Sequence, residues 1–333
     1  MRYKSTQQTY TTGRLTLPAV YVIAILGWTI ALVLSHDQFI GPAIEHPIWN
    51  LLPLNNTPLW ASTSLAFVTF AVIGYLIIQL NNQFTIIKRR ATIQTSLLFL
   101  FVTAMLQLHV FQPTHLAALA FVSHSFFLFN CHKESQTQTQ QFYAAFFSAI
   151  LFICIPKVIF IIPVILITKL SFNSLNIKTL LASLLGFSLP IWLLFGHAYW
   201  HDQMELFYYP FIEISDWSTA FNYKNIGLIE LLTFGFILFT SFLSTFYLLY
   251  NRNKAKIRTR QILNHFLRIS YVLILLIAIE PTLLFQFTPI ILIAISFVYG
   301  HALMLNQNKL SNWLFICSIT LLLTIYITNL WTL

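Results

Sequence analysis

Apolar stretches of helix length dominate this chain: residues 15–35, 58–80 and 231–250 contain no charged side chain. A spanning helix needs about 20 consecutive apolar residues, because each adds about 1.5 Å along an axis that must cross about 30 Å of hydrocarbon. Charge is scarce throughout, at 8% of 333 residues, where an ordinary soluble domain carries about 25%. So few charges cannot cover a water-exposed surface, and a soluble globular domain is excluded. Membrane β-strands would alternate in polarity over segments of about ten residues, whereas these stretches are continuously apolar. The expected fold is all-α: a polytopic transmembrane helical bundle, with residues 1–333 forming one integral membrane domain.

The apolar pattern places about eleven spans, near 15–35, 58–80, 93–110, 115–131, 142–155, 158–170, 179–198, 226–250, 268–283, 287–304 and 312–332. One interval is tight. Residues 141–170 give about 45 Å of helix where two full crossings need about 60 Å, so a short or re-entrant helical hairpin near 142–170, turning at Pro156-Lys157, is expected. Orientation follows from the basic residues. Lys and Arg number 18 against 9 Asp and Glu, and with a cytoplasmic N-terminus all of them except Lys157 and Lys224 fall inside. The formal charge of +9 is therefore a topology signal for a bacterial inner membrane, and no nucleic-acid partner is implied. The 134–141 linker and a basic loop near 251–264 lie on the cytoplasmic side. The first apolar stretch is too long for a signal-peptide core and lacks an A-x-A site, so it is expected to stay as the first helix. Cys131, Cys154 and Cys317 show no CxxC or Cys/His spacing and read as small packing residues.

The acids take the opposite side. Asp37 and Glu45 fall in a long outer loop near 36–57, and Asp202, Glu205, Glu213 and Asp216 in a second near 199–225. Only Glu134 is placed inside. His36, His46, His109, His115, His197 and His201 are likewise expected at or near the outer boundary. Retention of Lys and Arg inside leaves outer loops acidic by default, so this distribution alone does not make a site. Both loops are also aromatic, with Trp49 and Trp60 at the first and Trp200, Tyr208, Trp217 and Tyr223 among those at the second; such rings stack on sugars and also favour membrane interfaces. Glu230 and Glu280 sit near the outer ends of apolar segments, where a carboxylate is either a proton or cation site or an ordinarily solvated group.

The sharpest local pattern is His197-Ala-Tyr-Trp-His201-Asp202. On a continuous helix His197 and His201 share a face at i and i+4, a spacing that lets two imidazoles reach one metal. The HExxH glutamate is absent and no third ligand is set, so an interface role outweighs a metal site. The same six residues are similar to the His/Asp pair of glycerolipid acyltransferases, without the companion FPEG-type motif. P-loop, dinucleotide glycine, G-x-S-x-G and intramembrane protease signatures are absent.

Two resemblances add to this reading. The stretch Leu80-Asn81-Asn82-Gln83-Phe84-Thr85-Ile86-Ile87-Lys88-Arg89-Arg90, with the later Leu181-Ala182-Ser183-Leu184-Leu185-Gly186, resembles an uncharacterised family of bacterial multi-pass inner-membrane proteins over most of the chain. The architecture, with its acidic outer loop after the first helix and a second outer loop after the seventh, resembles the GT-C glycosyltransferases, which use polyprenyl-phosphate-linked sugars. That resemblance implies a catalytic acid early in the first outer loop, matched here by Asp37, acting as base or metal ligand, with a divalent cation as the cofactor in the second case. Glu45 and Asp202 are the further candidate catalytic acids. His36, His46, His201 and Glu205 would line the substrate site and Lys157 would contact the lipid phosphate; no metal ligand set is defined. The sequence departs from the pattern in having no outer arginine and no large C-terminal soluble domain. The expected partners are membrane lipid, a polyprenyl-phosphate sugar and envelope proteins. Glycosyl transfer in cell-envelope glycan synthesis is the leading expectation. A non-catalytic membrane component of an envelope assembly or secretion complex is the alternative, and a small-solute transporter is third.

Overall fold

The computed structural model describes residues 5–35, 47, 57–87, 92–131, 137–224, 226–250, 255–305 and 308–332. Among them the chain is helical and contains no strand. The α-helices are α1 (Thr6–Thr12), α2 (Thr16–Leu34), α3 (Leu59–Phe84), α4 (Ile93–Ala104), α5 (Pro113–Asn130), α6 (Thr137–Cys154), α7 (Ile162–Ser171), α8 (Ile177–Trp200), α9 (Met204–Ser215), α10 (Leu228–Tyr250), α11 (Ile257–Ile279), α12 (Leu284–Leu305) and α13 (Lys309–Trp331). Among the described residues seven helical stretches are long and apolar enough to cross a membrane: α2, α3, α8, α10, α11, α13 and 281–305, which is α12 with the turn before it. The protein is thus a multi-pass membrane protein, with seven candidate spans where the apolar pattern suggested about eleven. The difference lies in α4 to α7: α4 and α7 have 12 and 10 residues, about 18 and 15 Å of helix, while α5 and α6, with 18 residues each, are diluted by His, Ser, Thr and Gln side chains.

Helix ends follow local chemistry. Pro113 opens α5 where its missing N–H costs nothing, and Gln112 and His115 cap it reciprocally. Asn176 accepts from the Thr179 N–H at 2.8 Å to start α8. Between α6 and α7 the chain turns through a 3₁₀ segment, Pro156–Ile161, so the expected break at Pro156 is present. Two boundaries differ from the sequence expectation. The span placed at 268–283 begins at Ile257, because Arg258, Arg260 and Arg268 ride on a helix whose other positions, Ile262, Leu263, Phe266 and Leu273, are fully buried. The 199–225 connection also contains α9, a helix the apolar ruler passed over.

At the centre stands α12. It packs against α4, α5, α10 and α11, and nearly every residue from Leu284 to Leu303 is buried, as its all-round apolar sequence requires. By contrast α8 lies at the periphery, touching chiefly α6 and α9, with Leu181, Leu185, Trp192 and Leu193 exposed as a lipid-facing surface would be. Gly186 sets its approach to α6: a Cβ there would stand 2.2 Å from the Phe142 carbonyl oxygen, so the crossing exists only because this residue is glycine.

Candidate functional site at the Glu280 end

Two proline-broken helix ends meet at one end of the bundle. Ile155 precedes Pro156 and Glu280 precedes Pro281, and both take extended conformations (φ −140°, ψ 90° and φ −133°, ψ 94°), because a residue before proline is pushed away from helical angles. The break puts Lys157 on the 3₁₀ turn beside Glu280. Lys157 Nζ lies 2.6 Å from Glu280 Oε2, with the two side chains 3% and 5% exposed. The other carboxylate oxygen of Glu280 accepts from Thr219 Oγ1 at 2.5 Å and from Thr282 Oγ1 at 3.3 Å. The ammonium also stands 5.1 Å from the Trp217 ring centre. The connection between α9 and α10 crosses this pair: Phe221 N–H donates to the Ile279 carbonyl at 2.7 Å, and the Tyr223 hydroxyl donates to the Ala278 carbonyl.

A second polar group is built where α8 ends. The Gln203 N–H donates to the Ala198 carbonyl at 2.9 Å and the Asp202 N–H to Tyr199 at 3.4 Å, the two bonds of a helix-ending motif that needs a left-handed residue between them. Asp202 fills that position at φ 53°, a conformation aspartate tolerates better than most residues. His197 and His201 do share a face, with ring centres 4.5 Å apart. Met204 then starts α9, with Glu205 in its first turn. An apolar cleft of about 270 Å³ is lined by Ile191, Trp192 and Phe195 of α8 and Phe207 of α9.

Of the residues singled out from sequence, His36, Asp37, Glu45 and His46 lie outside the described residues. His201, Asp202 and Glu205 follow one another on the turn from α8 into α9 and are exposed. Lys157 is buried and paired with Glu280. Glu230 accepts from the Gly227 N–H at 2.8 Å and caps α10. His109 and His115 are fully buried: His109 stacks on Trp28 with centres 4.0 Å apart, and His115 bonds the Leu108 carbonyl at 3.0 Å. Among the described residues no group of three or more His, Cys, Asp or Glu is placed to hold a metal.

Acids on the α9 side differ in environment. Burial raises the Glu213 carboxyl above its ordinary value, partly opposed by Lys157 and reinforced by Asp216 and Glu280. Asp216 is held below its ordinary value, chiefly by the Ser218 backbone N–H, which donates to it at 2.9 Å. Burial first, then Glu213, pushes the Tyr209 hydroxyl up to about 12.

The feature missed from sequence is the Lys157–Glu280 pair. Its signal was present: two charges in apolar segments, each next to a proline. Comparison with protein-family models, curated proteins and solved structures gives no match to this chain.

Proposed function

We propose that this chain is a multi-pass protein of a bacterial inner membrane, oriented with its Glu280 end outside, and that it acts there on a lipid-linked substrate held along the α8–α9 cleft. The substrate class is a polyprenyl-phosphate-linked sugar, and the reaction is glycosyl transfer in cell-envelope glycan synthesis. One observation carries this reading: an apolar cleft of about 270 Å³ is lined by Phe195 of α8 and Phe207 of α9, and the chain between those two residues carries the exposed His197, His201, Asp202 and Glu205. Such a site takes a hydrocarbon chain along the helices and a polar head at their ends. In this scheme Asp202 accepts the proton of the acceptor hydroxyl. The hydroxyl oxygen bonds the sugar C1 as the C1–O bond to the lipid phosphate breaks, and the phosphate leaves on its carrier. Ring N–H groups of His197 and His201 stabilise that phosphate, a role Lys157 cannot fill while Glu280 holds it.

The test is chemical profiling of cells producing Asp202→Asn or His201→Ala at wild-type protein level. Lipid-linked sugar should accumulate and the dependent envelope glycan should fall at least about tenfold, a loss of about 1.4 kcal/mol or more in transition-state stabilisation. Unchanged lipid and glycan profiles in both variants would falsify the reading. The internally satisfied Lys157–Glu280 pair favours a second reading, a non-catalytic component of an envelope assembly. That protein would tolerate both substitutions and lose a co-purifying partner when exposed positions of α8 such as Leu185 and Trp192 are made polar.

A further inference from the structure

We propose that residues 216–224 form a strap across one side of a cavity between α10 and α11, and that the Lys157–Glu280 ion pair is its clasp. The cavity, about 70 Å³, is lined by Tyr223 and Ile226 on the strap side, by Glu230 of α10, and by Ile277, Ala278 and Pro281 at the end of α11. The strap is fastened at successive points. Thr219 binds Glu280, the Phe221 N–H binds Ile279, and Tyr223 binds Ala278, while Trp217 packs on Phe160 with ring centres 5.6 Å apart. Phe221 reaches its partner by taking φ 57°, a left-handed conformation that costs a bulky residue about 1–2 kcal/mol and persists only while neighbouring contacts hold it.

Lys157 acts on this arrangement through Glu280 and the Trp217 ring. Its ammonium compensates the buried Glu280 carboxylate, and that carboxylate in turn accepts the Thr219 hydroxyl. Without the ammonium, Glu280 loses the charge that offsets its burial and either takes up a proton or turns towards water, the second outcome releasing Thr219. Trp217 loses the cation over its ring. Three elements that are distant in sequence, the 156–161 turn, the 216–224 strap and the α11 end, are thereby coupled through one charge pair. Releasing the strap widens the opening of an apolar cavity whose acidic lining residue, among the described residues, is Glu230.

The experiment uses the full chain in nanodiscs with Cys131, Cys154 and Cys317 replaced by alanine and Ile277→Cys added as a reporter. A membrane-impermeant maleimide reacts with the thiolate, so labelling requires water to reach the cavity. Lys157→Met should speed labelling about tenfold, equivalent to about 1.4 kcal/mol on the opening equilibrium. Lys157→Met with Glu280→Gln should return the rate to within about twofold of the parent, because a neutral amide still accepts from Thr219. A Lys157→Met rate equal to the parent's overturns the proposal, as does a double variant as reactive as the single one. Should Lys157→Met fail to fold, Thr219→Val leaves the ion pair intact and should speed labelling about threefold, the effect of about 0.65 kcal/mol; no change there also overturns it.

Discussion

Breaking the Lys157–Glu280 pair from one side should cost far more than removing it whole. At 2.6 Å and an effective dielectric of about 20, the attraction is about 6 kcal/mol. Desolvating the two ions consumes several kcal/mol each, so the pair contributes little net stability against a neutral replacement. A single substitution has a different balance, because the surviving ion keeps its desolvation cost and loses its partner. Lys157→Met and Glu280→Gln should each destabilise by about 3–5 kcal/mol, and the double variant by about 1 kcal/mol or less. The resulting coupling energy, about 5 kcal/mol or more, lies well outside the range of exposed pairs, about 0–1 kcal/mol. Reversible unfolding in mixed micelles, followed by tryptophan fluorescence across all four proteins of the cycle, measures it. Additive single effects would refute the claim that this is a buried, mutually compensating pair.

The close crossing of α6 and α8 predicts that Gly186→Ala, whose Cβ would meet the Phe142 carbonyl oxygen at 2.2 Å, destabilises by about 1–3 kcal/mol. Gly196→Ala on the same helix, with nothing within 4 Å, should be neutral or stabilising by up to about 1 kcal/mol; thermal melts of the two separate packing from helix propensity. Glu213 supplies a pH test. Its folded carboxyl value is raised from 4.5, so its favourable contribution is present below that value and is lost as pH rises through the folded value. Melting temperature should therefore fall across that window by an amount worth under about 1 kcal/mol, since the group is partly exposed. Glu213→Gln should remove the slope, and an identical slope in the variant would assign it to other groups.

The all-helical membrane fold was legible because its cause is one-dimensional: a run of apolar residues either reaches the length of a bilayer or does not. Leu228–Tyr250 and Lys309–Trp331 follow that rule closely. Ile257–Ile279 does not, because Arg258, Arg260 and Arg268 depress the apolar signal of a helix whose inner face is fully packed. Helix α9 was missed since its twelve residues fall below the span length. Pro156 and Pro281 were visible as breaks, but the contact between them was not, since Lys157 and Glu280 are 123 positions apart and no periodicity links them. The His197–His201 register was legible from i, i+4 spacing alone, and Asp202 adjoins it as the residue that ends the helix. The burial of His109 and His115 was not legible, because it depends on Trp28 and Phe70, which arrive from α2 and α3.

Photocrosslinking at the α8–α9 cleft tests the proposed substrate most directly. A benzophenone side chain at Phe207, which lines the cleft, should capture the chain nearest to it in native membranes, and mass spectrometry of the adduct identifies that chain. A polyprenyl-phosphate sugar on the adduct is the expected result, with Asp202→Asn increasing its yield as unreacted substrate accumulates. Adducts carrying only bulk phospholipid, at the same yield in wild type and Asp202→Asn, would contradict a lipid-linked substrate at this site.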